Sequence, residues 1–200
     1  MFQENLYLKL GKFGSESQYL FTRRVILSGE IEEKTVKDVT EKLLLLENIE
    51  PTKDIVLIID SYGGDAYDSL YLCDFLSSLK CHIATVTIGK AMSSGFFVAI
   101  SGTKGKRYIT RKATMMNHEI SAEAIGKLSE MESEVAECKR LEKVFAELLH
   151  EKTACPRRVM KRFSAKEVYF NANECLKYGF VDEIIDKFPL KLYNQSTRII

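Results

Sequence analysis

The sequence predicts an α/β fold on a largely parallel sheet, and three observations lead there. Short apolar runs rich in valine and isoleucine alternate with longer amphipathic stretches. Turns bearing glycine and serine separate the two kinds of segment. A hydrophobic content of 46% over 200 residues supplies one sizeable core and not two comfortable ones, so residues 1–200 are read as a single domain. Strand and helix alternating in this way pair the strands in parallel and lay helices over the sheet faces.

Taken in order, residues 23–29 (RRVILSG) read as a short buried strand. Residues 32–50 (EEKTVKDVTEKLLLLENIE) have the apolar spacing and charge of an amphipathic helix. The pattern then repeats: strand 54–60 (DIVLIID), turn 61–65 (SYGGD), helix 66–80, strand 82–89 (HIATVTIG), turn 90–95 (KAMSSG), and a short buried helix at 96–102. Residues 106–110 (KRYIT) and 113–118 (ATMMNH) follow as short strands. Ser121 to Thr153 reads as one long, highly charged helix, longer than a compact domain needs. Pro156 restarts a helix. The last helix takes Asn171 as its N-cap and Gly179 as its stop, and residues 181–186 (VDEIID) close as a strand. Beyond Asp186 no period is visible, and residues 187–200 are expected to form a flexible tail.

Composition removes several classes of function. The 29 basic and 28 acidic side chains leave a net charge of +1, so no overall field recruits nucleic acid or an anionic membrane. No run of about 18 apolar residues and no signal-peptide pattern is present, so a soluble chain is expected. The five cysteines are scattered, with no C-x-x-C pair to hold zinc or a redox disulfide, which fits a reducing cytoplasm and a chain without a bound metal.

Chemistry is expected at the two turns that end strands, because open α/β sheets place their sites at the carboxyl ends of parallel strands. In SYGGD, Gly63 and Gly64 permit backbone angles closed to other residues and let a carbonyl oxygen approach an amide N–H. This makes the turn an oxyanion-hole candidate, although a tight turn is the plainer reading of two glycines. In IGKAMSSGFF, Ser93 and Ser94 sit where a sharp strand-to-helix bend exposes a hydroxyl. Of the three histidines, His82 opens a strand and His150 lies in the charged helix, whereas His118 ends a strand. His118 is therefore the candidate base. The 28 carboxylates are too many for chemistry alone to choose the acid that would orient it.

Four stretches, IDSYGGDAYDSLYLCDFLSSL, IGKAMSSGFFVAISGTKGKRY, MMNH and ANECLKYGFVDEIID, resemble the Clp protease proteolytic subunit family, ClpP, in both order and spacing. The resemblance is continuous from Gly29 to Asp182. It implies the ClpP/crotonase-like fold of repeated βα units with a protruding handle, here about residues 119–153. It also implies a serine endopeptidase with Ser93 as nucleophile, His118 as base and the amides of Gly64 and Ser94 as oxyanion hole. The triad acid falls on Glu167, one methylene longer than the aspartate of the family. Tyr62 for proline, Met92 for alanine and Glu119 for glutamine are further departures. The family assembles as two stacked heptameric rings, a tetradecamer, and degrades protein and peptide substrates. It has no cofactor of its own, ATP being used by a separate AAA+ unfoldase. Three other readings stay open: a non-catalytic ring subunit of the same architecture, a phage-type capsid-maturation protease, and a crotonase-like enzyme acting on coenzyme A thioesters.

Overall fold

The computed structural model describes residues 17–123, 125–163 and 166–187, so the expected tail lies outside the described residues from position 188 onward. Helix α1 (Ser17–Phe21) leads into strand β1 (Arg24–Ile31), helix α2 (Glu33–Ile49), strand β2 (Ile55–Gly64), helix α3 (Ala66–Ser78), strand β3 (Ile83–Met92) and helix α4 (Ser94–Ile100). After them come β4 (Arg107–Thr110), β5 (Thr114–Asn117), α5 (Leu128–Lys152), α6 (Arg157–Phe163), β6 (Val168–Asn171), α7 (Ala172–Lys177) and β7 (Glu183–Ile185). This is the α/β class the alternation implies. Strands β2 and β3 are longer than their sequence readings, each continuing into the turn that follows it.

One sheet carries the order β1-β2-β3-β4-β7, all parallel, with β5 and β6 branching from it. The branch arises because β3 shares one edge between two partners. Its first half pairs with β4 (Thr85 with Arg107, Thr87 with Ile109), and its last three residues pair with β5 (Lys90 with Thr114, Met92 with Met116). Strand β6 then adds to β5 in the antiparallel sense, Asn117 facing Val168. The sequence reading had no strand at 168–171, since four residues alternating buried and exposed are too short to carry a period.

The core sits on both sheet faces. Leu27, Leu57 and Ile59 are fully buried beneath α2, whose Val36, Val39, Leu43 and Leu46 recur at helical spacing. Each such side chain contributes about 1.5–3 kcal/mol by leaving water. Arg23 caps the end of α2, its guanidinium donating to the carbonyls of Leu46, Glu50, Lys53 and Asp54 at 2.8–3.0 Å. Asn171 caps α7 by accepting the Glu174 N–H at 3.0 Å, and Gly179 ends it at φ +70°.

The long helix differs from its sequence reading. It begins at Leu128 and not at Ser121, so residues 119–123 and 125–127 of the expected handle are not helical. Gly126 holds φ +149°, outside the helical range, and the Glu130 carboxylate accepts the Lys127 N–H at 3.0 Å to cap the first turn. The apolar stripe of this helix is also divided. Leu141, Phe145 and Leu149 are buried in the core, whereas Ile125 just ahead of the helix and Leu128 and Val135 within it are at least half exposed.

The lower end of α5 is fixed by a buried ion pair. Arg107, 3% exposed, donates to both carboxylate oxygens of Asp182 at 2.9 and 2.7 Å and to the Lys152 carbonyl at 2.6 Å. The backbone N–H groups of Gly105 and Arg107 also donate to Asp182, tying β4, the segment before β7 and the end of α5 together. Burial raises the Asp182 pKa, but the Arg107 hydrogen bonds outweigh it and hold the carboxyl below its ordinary range. The contribution is therefore present above the unfolded carboxylate pKa and lost as pH falls through the lower folded value. Asp182→Asn is expected to destabilise the fold by about 3 kcal/mol at neutral pH, because it strands the Arg107 charge. Urea unfolding at pH 7 and pH 3 checks this, with the difference between variant and parent shrinking at the lower pH.

Candidate active site

Two turns and one strand end converge on a cavity. At the end of β3, Ser93 takes φ +51° and ψ −123°, a conformation non-glycine residues adopt only under constraint and one that costs about 1–3 kcal/mol. The constraint comes from both sides: the Ser93 N–H donates to the Met116 carbonyl at 2.8 Å, and its carbonyl accepts the Phe96 N–H at 3.0 Å. Helix α4, which follows, is buried along its whole length and packs against both β2 and β3. The bend cannot relax without moving the core.

The pairing of β3 with β5 supplies the histidine. Because Met92 lies opposite Met116, the chain leaving β5 passes beside the bend, and His118 Nε2 stands 2.8 Å from Ser93 Oγ. Sequence separation of 25 residues is bridged by one short strand. His82 and His150 are not part of this cavity.

The glycine turn faces the same bend. Gly63 has φ +108°, and a Cβ there would stand 2.7 Å from Ser93 Cβ and 2.8 Å from the Met92 carbonyl oxygen. Gly64 has φ +153°, and a Cβ there would overlap the Ile31 backbone. Only glycine allows the two turns to pack this closely. Hydrogen bonds then lock them: Ser94 Oγ donates to the Gly64 carbonyl at 2.9 Å, and Ser69 Oγ donates to the Ser94 carbonyl at 3.1 Å. Ser61 Oγ donates to the Gly29 carbonyl and accepts the Gly63 N–H at 3.0 Å. The Ser94 hydroxyl is thus spent on structure within a residue only 6% exposed, while Ser93 is half-buried at the cavity wall.

Glu167 stands apart from this cluster. Extending the β5–β6 register by one pair beyond Asn117 and Val168 brings its backbone opposite His118. Its side chain is exposed and accepts the Tyr169 hydroxyl at 2.7 Å in place of the imidazole. That bond raises the Tyr169 pKa. Of the other departures from the family, Tyr62 is 72% exposed with the Lys90 ammonium 4.3 Å from its ring centroid.

The cavity extends from Ser93 and His118 along α5, where Tyr67 from the start of α3 donates to Glu137 at 2.8 Å. Arg140 donates to both oxygens of the same carboxylate at 2.8 and 2.6 Å. Hydrogen bonds from Arg140 first and Tyr67 second hold the Glu137 pKa at about 2, so it stays charged across the working range. Residues missed by the sequence reading include Ser61, Ser69 and Asn117. Ser69 had a visible signal, since it lies on the apolar stripe of α3 with Leu72, Cys73 and Leu76, where a lone hydroxyl needs a partner. Asn117 had a similar one, because it shares the strand face of Met115, yet its side-chain oxygen is buried with no hydrogen-bond partner.

Comparison with known proteins gives a consistent result. A family model described as Clp protease matches residues 12–188. The "ATP-dependent Clp protease proteolytic subunit 1" of Prochlorococcus marinus strain MIT 9312 is 32% identical over 180 residues, covering 90% of this chain and 92% of that protein. A protein of the same name from Prochlorococcus marinus subsp. pastoris is 32% identical over 179 residues, covering 90% and 91% respectively.

Proposed function

The chain belongs to the Clp protease family, and on that premise we propose that it is a serine endopeptidase in which Ser93 attacks a peptide carbonyl. The observation that carries this reading is the 2.8 Å contact between Ser93 Oγ and His118 Nε2 at a strained strand-to-helix bend. His118 Nε2 takes the serine proton as Oγ bonds to the carbonyl carbon, and returns it to the leaving amine as the peptide bond breaks. A water then gives its proton to His118 as its oxygen bonds to the acyl carbon, and His118 passes that proton to Ser93 Oγ as the ester bond breaks and the acid leaves. The N–H groups of Gly64 and Ser94, on the two turns that face each other, hold the developing oxyanion, a role in which one donor is worth about 3–4 kcal/mol of barrier. The reaction needs no cofactor, and ATP is consumed by a separate AAA+ unfoldase that feeds protein substrates.

Glu167 is assigned the third position of the triad. Its backbone place opposite His118 supports this, and its carboxylate has to leave the Tyr169 hydroxyl to receive the imidazole N–H. The exposed Ile125, Leu128 and Val135 support a handle that packs between two stacked heptameric rings, burying apolar surface a monomer leaves in water. Five unpaired cysteines, four of them buried, fit work in a reducing cytoplasm.

A fluorophosphonate probe tests the nucleophile. Labelling is expected at Ser93 and is abolished in Ser93→Ala. In Ser94→Ala it persists, because the backbone N–H remains and only a structural hydroxyl is lost. Labelling that survives Ser93→Ala and vanishes in Ser94→Ala reverses the assignment.

Glu167→Gln is expected to slow acylation by about 10² to 10⁴-fold while leaving fold and assembly intact. Tyr169→Phe, which frees the carboxylate, is expected to hold or raise the rate. Acylation by Glu167→Gln within about twofold of the parent makes the residue a bystander. Native mass of the purified protein is expected to correspond to two seven-membered rings, and a stable active monomer refutes that assembly.

A further inference from the structure

The Ser94 hydroxyl holds a position that neither the nucleophile nor the base requires. Ser94 opens α4, and its Oγ donates to the Gly64 carbonyl at 2.9 Å with the Asp65 carbonyl 3.3 Å away. Its own carbonyl accepts the Ser69 hydroxyl at 3.1 Å, from α3, the helix that follows the glycine turn. One residue is therefore tied twice to the segment that carries Gly64, across 30 and 25 positions of chain.

These ties act against a wall. A Cβ on Gly63 would stand 2.7 Å from Ser93 Cβ and 3.1 Å from the Ser94 nitrogen, so the two turns already touch and cannot come closer. Such contact resists approach steeply and separation hardly at all. Hydrogen bonds are what oppose separation, because they weaken as donor and acceptor move apart. On its far side the glycine turn is fixed to β1, where the Asp65 N–H donates to the Ile31 carbonyl at 2.8 Å. The turn is thus held between β1 and α4, and Ser94 Oγ supplies the α4 side.

We propose that Ser94, through its hydroxyl, is a positioning residue for the oxyanion hole, fixing the spacing between the Gly64 N–H and its own N–H. The proposal rests on the peptidase reading above. An oxyanion gains from two donors only when both stand about 2.7–3.1 Å from the place where its charge develops. The carbonyl of a bound substrate carries less charge and tolerates a looser pair, so the tie acts on the transition state more than on binding. The hydroxyl itself faces the Gly64 carbonyl and not the nucleophile, and it works through the backbone it joins.

The test is made on the full chain in its native assembly, with a fluorogenic peptide and a peptide boronic acid whose tetrahedral adduct on Ser93 places an oxygen between the two donors. Fluorophosphonate titration counts the competent sites, so that kcat is expressed per labelled Ser93. Ser94→Ala is expected to lower this kcat by about 10- to 10²-fold with KM within about twofold, and to weaken the boronic acid by a similar factor. Ser94→Thr, which keeps a hydroxyl, is expected to return most of the loss. Where Ser94→Ala does not assemble, Ser69→Ala, which removes only the second tie, is expected to show the same split at a few-fold. A kcat per labelled site within about twofold of the parent, or a loss confined to KM or to the number of sites, overturns the inference and leaves the peptidase reading standing. A parent protein that neither labels at Ser93 nor turns over peptide overturns both.

Discussion

The hydrogen bond from the Ser93 N–H to the Met116 carbonyl, 2.8 Å long, is the joint on which the candidate site depends. It continues the pairing of β3 with β5 one residue past the end of β3, at the point where that strand has already exchanged one partner for another. Were β4 to occupy the whole edge of β3, β5 would have no place in the sheet and His118 no route to Ser93. Splitting one strand edge between two short partners is therefore what brings His118 to the Ser93 bend and shapes the candidate site.

Strain at the bend is held by its surroundings. A positive φ at Ser93 and close contact with Gly63 are unfavourable locally, by about 1–3 kcal/mol for the dihedral alone. Against them stand the fully buried α4, the Ser94, Ser69 and Ser61 hydroxyl bonds, and the aromatic packing of Phe96 with Phe180 at 4.9 Å. A neutral hydrogen bond contributes about 0.5–1.5 kcal/mol net, so several together are enough to hold one strained residue. The same small hydroxyls explain why serine recurs on core-facing positions around the site: each satisfies a carbonyl that the sharp turns take out of the sheet ladder.

The long helix serves two surroundings along its length. Its C-terminal half is part of the core and is tied down where Arg107 holds the Lys152 carbonyl. Its N-terminal half is exposed from Leu128 to Ala136 and is joined to the cavity by the Tyr67 bond to Glu137. The segment that carries exposed apolar side chains is thus mechanically continuous with the cavity wall, and the acidic lining of that wall comes largely from the same helix.

The sequence by itself determined the alternation of strands and helices, the two turns that line the candidate site, and serine and His118 as its candidate groups. These follow from period, turn chemistry and a motif resemblance, all of which are local in the chain. It could not place β6 or the first residue of α5, because four residues carry no period and a helix start depends on one glycine and one capping carboxylate. The bond from Ser69 to the bend, the closeness of Gly63 to Ser93, the turn of Glu167 toward Tyr169 and the unpaired Asn117 side-chain oxygen were decided by tertiary structure alone. Each is a contact between segments distant in the chain or a choice among rotamers, and both are fixed only when the sheet register is.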